Sequence, residues 1–530
     1  MTFLPIVERE LRVAARRRST YRIRAWTAVI ALGIGFFSFF PAVLVGAMGA
    51  YGGPGKSLYT TLTGFAFGLC LLAGVLLTAD CLSEEKREGT LGLLFLTDLR
   101  GYDVVLGKLM AISLNAFYGL LAILPISGLC LLLGGLTGGE FWRMNLALVN
   151  ALFFSLAAGI LVSAFERDSQ RAMGCALVLI AFFAGGLPAL VKACPILGIP
   201  FACEYLAWVS PYYAFAQALE PRYLGEPEKY WWTLLASQLF GWLLLGLASK
   251  ALPHHWQERA ATGEAGLRRV WRWAQRNREK ASARAKAREE LLPVNPVLWL
   301  MSSELGYRRL AWLIAGAWGV AVLLTSWLAP GEQGAFALSM YGVRPFGFLL
   351  KWLLALQACR FFVEARRNGA LEMLLCTPLT SRDIIRGQVL ALRRNFQWPV
   401  LALLMLLLVP AVVQFFVAGA WDTSPSANTA LMGIFAGGVY CLRMVADCYA
   451  LAAFGMWLAL TLKKPGLAPG LTILVVLLLP SVLCWLDIFA DLVFILWGVS
   501  KLNRADLRML LEREYQPGTA TRGLSSVVAR

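Results

Sequence analysis

The sequence predicts an all-α polytopic membrane protein, with about twelve transmembrane helices arranged as two parallel six-helix repeats. Three observations carry this. Apolar residues make up 58% of the 530 residues and charged residues only 15%, where a soluble chain has about a quarter charged. The apolar residues come in long uncharged runs, such as Ala25 to Ala50 and Ser57 to Ala79. Finally, one stretch of 26 residues recurs at a constant offset of 280.

Runs of about 20 apolar residues read as membrane-spanning helices. In the first half they fall near 25–47, 58–79, 106–133, 144–165, 172–191 and 231–250. In the second they fall near 310–328, 336–358, 399–418, 430–461, 466–481 and 484–500. The last pair is divided by parity. Lys463-Lys464 and Lys501 with Arg504 both belong in the cytoplasm, so the chain crosses twice between them, turning near Pro480 to Asp487.

Cytoplasmic loops of membrane proteins are enriched in Lys and Arg, and this topology places 41 of the 49 Lys and Arg inside. Outside loops hold six: Lys56, Arg143, Lys192, Arg222, Lys229 and Arg344. Seven Arg in the first 24 residues hold the N-terminus inside, and both termini are expected in the cytoplasm of a cell-membrane protein. The net charge of +17 therefore needs no nucleic acid to explain it.

Eleven Cys are scattered through the apolar runs with no CxxC pair and no zinc spacing, so no metal site is expected. Cys194 and Cys203 flank an outside loop, and the sequence leaves open whether they pair. That loop, Lys192 to Lys229, is rich in aromatics that suit a membrane interface. It has no counterpart of that length in the second half, and it reads as a re-entrant or lid element.

Two stretches resemble nucleotide-binding loops. Ala50 to Ser57 (AYGGPGKS) ends like a Walker A loop, and Leu136 to Glu140 (LTGGE) resembles the signature loop of ABC ATPases. Both fall outside the membrane, away from ATP, and neither sits in the strand–loop–helix setting that a P-loop requires. They read as small-residue turns joining helices.

The repeat aligns Glu84–Leu109 with Glu364–Val389 without a gap. Nine positions are identical: Glu84/Glu364, Arg87/Arg367, Gly89/Gly369, Leu91/Leu371, Leu94/Leu374, Thr97/Thr377, Leu99/Leu379, Asp103/Asp383 and Gly107/Gly387. Each copy lies between the second and third spans of its half. It opens with charge, passes through Gly into a short apolar run, breaks at Thr97-Asp98 or Thr377-Pro378, and restarts at Asp103 or Asp383. The pattern predicts a short amphipathic helix along the cytoplasmic face with charges at its front edge. A partner-docking surface fits that pattern. Pro5–Arg24 and Asn295–Arg309, which lead into spans one and seven, read as in-plane elbow helices.

At these residues the chain resembles the ABC-2 type permeases, the membrane subunits of ABC exporters. The second copy carries Asn368-Gly369-Ala370-Leu371-Glu372 and Thr377-Pro378-Leu379. The first keeps Glu88-Gly89-Thr90-Leu91 and Gly107-Lys108 but has Gly92 for the Glu and Asp98 for the Pro. The resemblance implies two fused six-span halves, each with a coupling helix that touches a separate ABC ATPase. The coupling residues are then Glu84, Glu85, Arg87, Glu88, Gly89, Leu91 and Thr97 in one copy. In the other they are Glu364, Arg366, Arg367, Gly369, Leu371, Glu372 and Thr377. The chain itself is expected to bind no cofactor and to have no catalytic residue, with ATP acting through the partner subunit.

The expected division is 1–252 for the first half, 253–294 for a basic linker and 295–530 for the second half. Between Arg259 and Glu290 the linker has ten basic and four acidic residues, a composition suited to anionic membrane lipid. Charges inside spans are costly, and each is a candidate site. Arg443 and Asp447, four apart on one helix face, are expected to neutralise each other. Lys351 has no partner in its own segment. Asp80 and Arg360 align at the repeat offset and are candidates to meet across a pseudo-two-fold. Two other functions have the same sequence correlates: a non-transporting scaffold of this fold, and a membrane transferase. The transferase requires gathered carboxylates or His, and the chain has two His.

Overall fold

The computed structural model describes residues 53–91, 100–166, 168–188, 203–255, 288–301, 305–328, 332–417, 425–462, 467–482 and 487–504, with isolated positions at 28–36 and 191. Every regular element among them is a helix. Among the described residues, seven helices are long and apolar enough to cross a membrane: Gly55–Arg87, Gly101–Leu132, Gly138–Phe165, Pro227–Pro253, Phe346–Arg366, Ser381–Val409 and Ile434–Thr461. Arg171–Gly186 and Ala468–Leu478 are shorter apolar helices at the fifth and eleventh expected spans. Most of the first expected span, Cys194 and residues 256–287 of the linker lie outside the described residues.

The chain divides into two compact units. One comprises 1–260 with 478–487, and the other 261–477 with 488–530. In the first unit the helices are α1 (Gly53–Ala73), α2 (Cys81–Glu88), α3 (Gly101–Leu132), α4 (Gly138–Phe165) and α5 (Ser169–Ala181). The short α6 (Cys203–Ala207), α7 (Pro211–Gln217) and α8 (Glu220–Gly225) follow, then α9 (Pro227–His255). Helix α4 is the centre, packing against α1, α3, α5, α7 and α9. A stretch of π-helix, Gly74–Thr78, continues α1 and lies against α4.

The start of α4 explains one of the loop-like motifs. The Thr137 hydroxyl accepts from the Glu140 amide at 3.1 Å, so LTGGE is a helix N-cap. Of AYGGPGKS, Gly53 to Ser57 form the first turn of α1. The expected lid is in part the trio α6–α8. Arg143 pairs with Glu220 and lies 3.7 Å over the Tyr223 ring, while the Tyr230 hydroxyl donates to the Arg143 carbonyl at 2.8 Å. These contacts fasten α8 to α4, and α4 to α9.

The second unit contains α10 (Pro296–Met301), α11 (Leu305–Leu328), α12 (Glu332–Arg367), α13 (Ala370–Leu375) and α14 (Ser381–Val417). It continues with α15 (Pro425–Thr461), α16 (Ala468–Ile473) and α17 (Asp487–Arg504). Its core joins Cys359, Phe362, Leu371, Ile384, Ala459 and Ala468. Of the expected elbow segment Asn295–Arg309, Pro296–Met301 form α10, and Leu305 to Arg309 already belong to α11. The Asn295 side chain accepts from the Val297 amide at 2.8 Å and donates to the Asp383 carbonyl at 2.9 Å, tying α10 to the start of α14.

The amphipathic segment differs from expectation in one respect. Its charged front edge does not belong to the short helix. It forms the last turns of the preceding helix, α2 in one unit and α12 in the other. The cause is a helix stop at glycine: Gly89 and Gly369 adopt left-handed φ of 73° and 67°, a conformation that costs a residue with a Cβ about 1–2 kcal/mol. Nothing crowds either position. Gly89→Ala and Gly369→Ala are therefore each expected to lower stability by about 1 kcal/mol through backbone strain alone, read as a fall in thermal midpoint in detergent.

Candidate functional site: the charged helix ends and the charges of the apolar helices

At the end of α2 most of the singled-out charges are held by the fold. Arg87 makes a two-pronged pair with Asp80, at 2.8 and 3.1 Å. Glu85 pairs with Lys108 of α3 at 2.6 Å. Leu91 is buried, and Glu84 points outward. The side chain of Glu88 and all of Thr97 lie outside the described residues. Sequence reasoning missed Lys86 as a site residue. Its ammonium donates to the carbonyls of Ala164 and Ser163, the orphan acceptors at the end of α4. The Ser163 hydroxyl in turn accepts from the amides of Leu82 and Ser83, at 2.9 and 3.0 Å, at the start of α2.

The end of α12 has a related build. The Arg366 guanidinium donates to the carbonyls of Ala459 at 2.7 Å and Leu462 at 2.9 Å, at the end of α15. Glu364 pairs with Arg360 at 2.7 Å, and Arg360 also lies 5.2 Å from the Tyr307 ring centre. The Arg367 side chain lies outside the described residues. On α13, Leu371 is buried while Glu372 and Met373 face outward. The Thr377 hydroxyl donates to its own turn, at the Leu374 carbonyl. The next helix starts alike in both units: Asp103 accepts from the Arg100 amide at 3.0 Å, and Asp383 from the Thr380 amide at 3.1 Å.

Among the charges within the apolar helices, the expected Arg443–Asp447 pair forms, and Lys351 joins it. Asp80 and Arg360 each find a partner within their own unit, Arg87 and Glu364 respectively. Asp447 takes Lys351 as its close partner, and the Arg443 Nε stands 4.0 Å from the same carboxylate oxygen. The reason is reach. Arg443 shares a helix with Asp447 and remains a third exposed, whereas Lys351 enters from α12 with 10% side-chain exposure and has no water to prefer.

Residues 35–248 match the family model described as ABC-2 family transporter protein. Over that range the chain is similar to the ABC-2 family transporter proteins. No curated protein gives a significant match. The family match covers α1 to α5 and most of α9, including the whole of α2 and its clamp on α4. Its apolar helices make the chain a multi-pass membrane protein, and the matched part is similar to the ABC-2 transporter family.

Proposed function

We propose that this chain is the permease subunit of an ATP-driven ABC exporter, working with a separate ATPase polypeptide. The two helix-end segments, 84–91 and 364–377, are its docking surfaces, and the halves are a parallel repeat. One observation carries the reading. A left-handed glycine, a cation on the carbonyls of another helix end, and an aspartate at the start of the next helix recur at the offset of 280: Gly89 and Gly369, Lys86 and Arg366, Asp103 and Asp383. Packing alone does not require two different sequences to rebuild one surface. A partner that presents the same face twice does. No covalent chemistry is assigned to the chain. Substrate crosses the membrane as the ATPase closes.

The test is co-purification of the tagged chain from mild detergent. Glu84 and Met373 face outward and are the residues to replace, because Glu85, Arg87 and Arg366 hold the fold together. The wild type is expected to retain an ATPase. Glu84→Arg with Met373→Glu is expected to weaken that retention at least about tenfold, or about 1.4 kcal/mol, at an unchanged melting temperature. Failure of the wild type to retain any ATPase would move the assignment to the non-transporting scaffold.

A further inference from the structure

Two adjacent helices of the second unit carry exposed arginines at one height. On α14 the exposed residues Arg394, Trp398, Leu401, Met405, Val409, Val412 and Phe416 follow at steps of three or four, so they form one stripe. In a membrane the apolar part of such a stripe faces lipid. Trp398 and Phe416 stand about 27 Å apart along the helix, close to the roughly 30 Å of a bilayer's hydrocarbon core. Tryptophan favours the membrane interface, which places Trp398 there and Arg394 one turn beyond it, among the headgroups. The Arg393 Nε donates to the Gln397 side chain at 3.2 Å, laying that guanidinium along the helix toward Trp398. Helix α11 brings two more arginines. It runs beside α14 in the same sense: Leu298, on α10 just before it, packs with Ala391, and further along Gly319 lies against Leu406. Counting back from that last contact at about 1.5 Å per residue, the heights of Arg309 and Arg394 differ by about 3 Å. Arg308 and Arg309 are exposed, and on the same count the exposed Trp312 is level with Trp398. None of the four arginines forms an ion pair among the described residues.

We infer that this level of α11 and α14 binds the headgroup of an anionic phospholipid, its phosphate taken by Arg309 and Arg394 with Arg308 and Arg393 beside them. Packed helices stand about 8–10 Å apart, a gap that two arginine side chains reach across. A guanidinium presents paired N–H groups that match phosphate oxygens. Four positive charges without an acidic partner favour an anionic lipid over a zwitterionic one. The apolar stripe above them takes the acyl chains. Helix α3 does not repeat the site: at the offset of 280, Ser113 and Leu114 stand where Arg393 and Arg394 do. The lipid site is thus separate from the surface that the two units share, and it holds whether or not an ATPase binds there.

Native mass spectrometry of the full-length protein tests this. The protein in neutral detergent is titrated with phosphatidylglycerol or with phosphatidylcholine of the same acyl chains, and retained lipids are counted. The wild type is expected to hold phosphatidylglycerol at least about tenfold more tightly, and Arg309→Gln with Arg394→Gln to lose at least about tenfold of that affinity. Arg382→Gln with Arg386→Gln removes the same charge from α14, about 12–18 Å further from the interface, and should bind like the wild type. No preference in the wild type overturns the proposal. So does an equal loss in both double variants, which would mean diffuse attraction to the net charge. A second measurement needs no variant. Phosphatidylglycerol with a photoreactive headgroup is irradiated with the wild type in phosphatidylcholine vesicles, and adducts are mapped. They are expected on 305–313 and 390–398. Adducts confined to the basic linker, 256–287, also overturn the proposal.

Discussion

Replacing Gly159 by valine is expected to cost about 3 kcal/mol or more, the upper end of overpacking penalties, and to leave little folded protein in the membrane. Gly159 lies on α4 where the π-helical stretch Gly74–Thr78 crosses it. A Cβ there would overlap the Thr78 hydroxyl and the Gly74 carbonyl, and a Cβ on Gly74 would overlap the Ser155 carbonyl. These neighbours are mostly backbone, so no rotamer change relieves the clash. The contact is also hydrogen-bonded. The Thr78 hydroxyl sits 2.7 Å from the Gly74 carbonyl and 3.1 Å from that of Leu156, and the Ser155 hydroxyl reaches the Cys70 carbonyl. Helices inside a bilayer gain little from burying apolar surface and rely on such close approaches of small residues. Thermal unfolding in detergent checks this, with Gly64→Ala as comparator, since nothing lies within 4 Å of a Cβ at Gly64. A Gly159→Val protein that melts with the wild type would refute the close crossing.

Replacing Lys351 by methionine has the second large effect. It removes the close partner of Asp447, whose side chain is only 3% exposed, and leaves Arg443 at 4.0 Å. Breaking a buried pair from one side typically costs about 3–5 kcal/mol. The exchange Lys351→Asp with Asp447→Lys should recover part of that loss, because the pair is restored with its polarity reversed. The melting temperatures of the two single variants and the exchange give the coupling directly. An exchange no better than the worse single variant would mean that the two side chains do not act as a pair.

The spans were legible because membrane composition leaves a signal in every residue of a run, as in Ser57 to Ala79. The repeated segment was legible because its glycines and aspartates perform backbone tasks that few residues perform: Gly89 and Gly369 stop helices, Asp103 and Asp383 start them. Partners across the bundle were not legible. Lys351 and Asp447 are 96 residues apart, and no local pattern distinguishes this pairing from the nearer Arg443. The π-helical stretches at Gly74–Thr78, Phe182–Gly186 and Leu474–Leu478 were invisible for a different reason. One extra residue per turn changes which side chains face a neighbour without changing composition. The charged edge was assigned to the wrong helix because its residues suit a helix end as well as a helix start, and only the sign of φ at the glycine separates the two.

The clamps made by Lys86 and Arg366 have a mechanical consequence. Each joins the tip of one helix to the final carbonyls of another, over a contact of two charge-assisted bonds. A short rod bolted to the foot of a pillar cannot be pushed without loading the pillar. Force delivered to the tip of α2 is borne by α4, the most enclosed rod of its unit, and force on the tip of α12 is borne by α15. Cutting either bolt, as in Lys86→Met or Arg366→Met, leaves the tip in place but separates its motion from that of the helix it now carries.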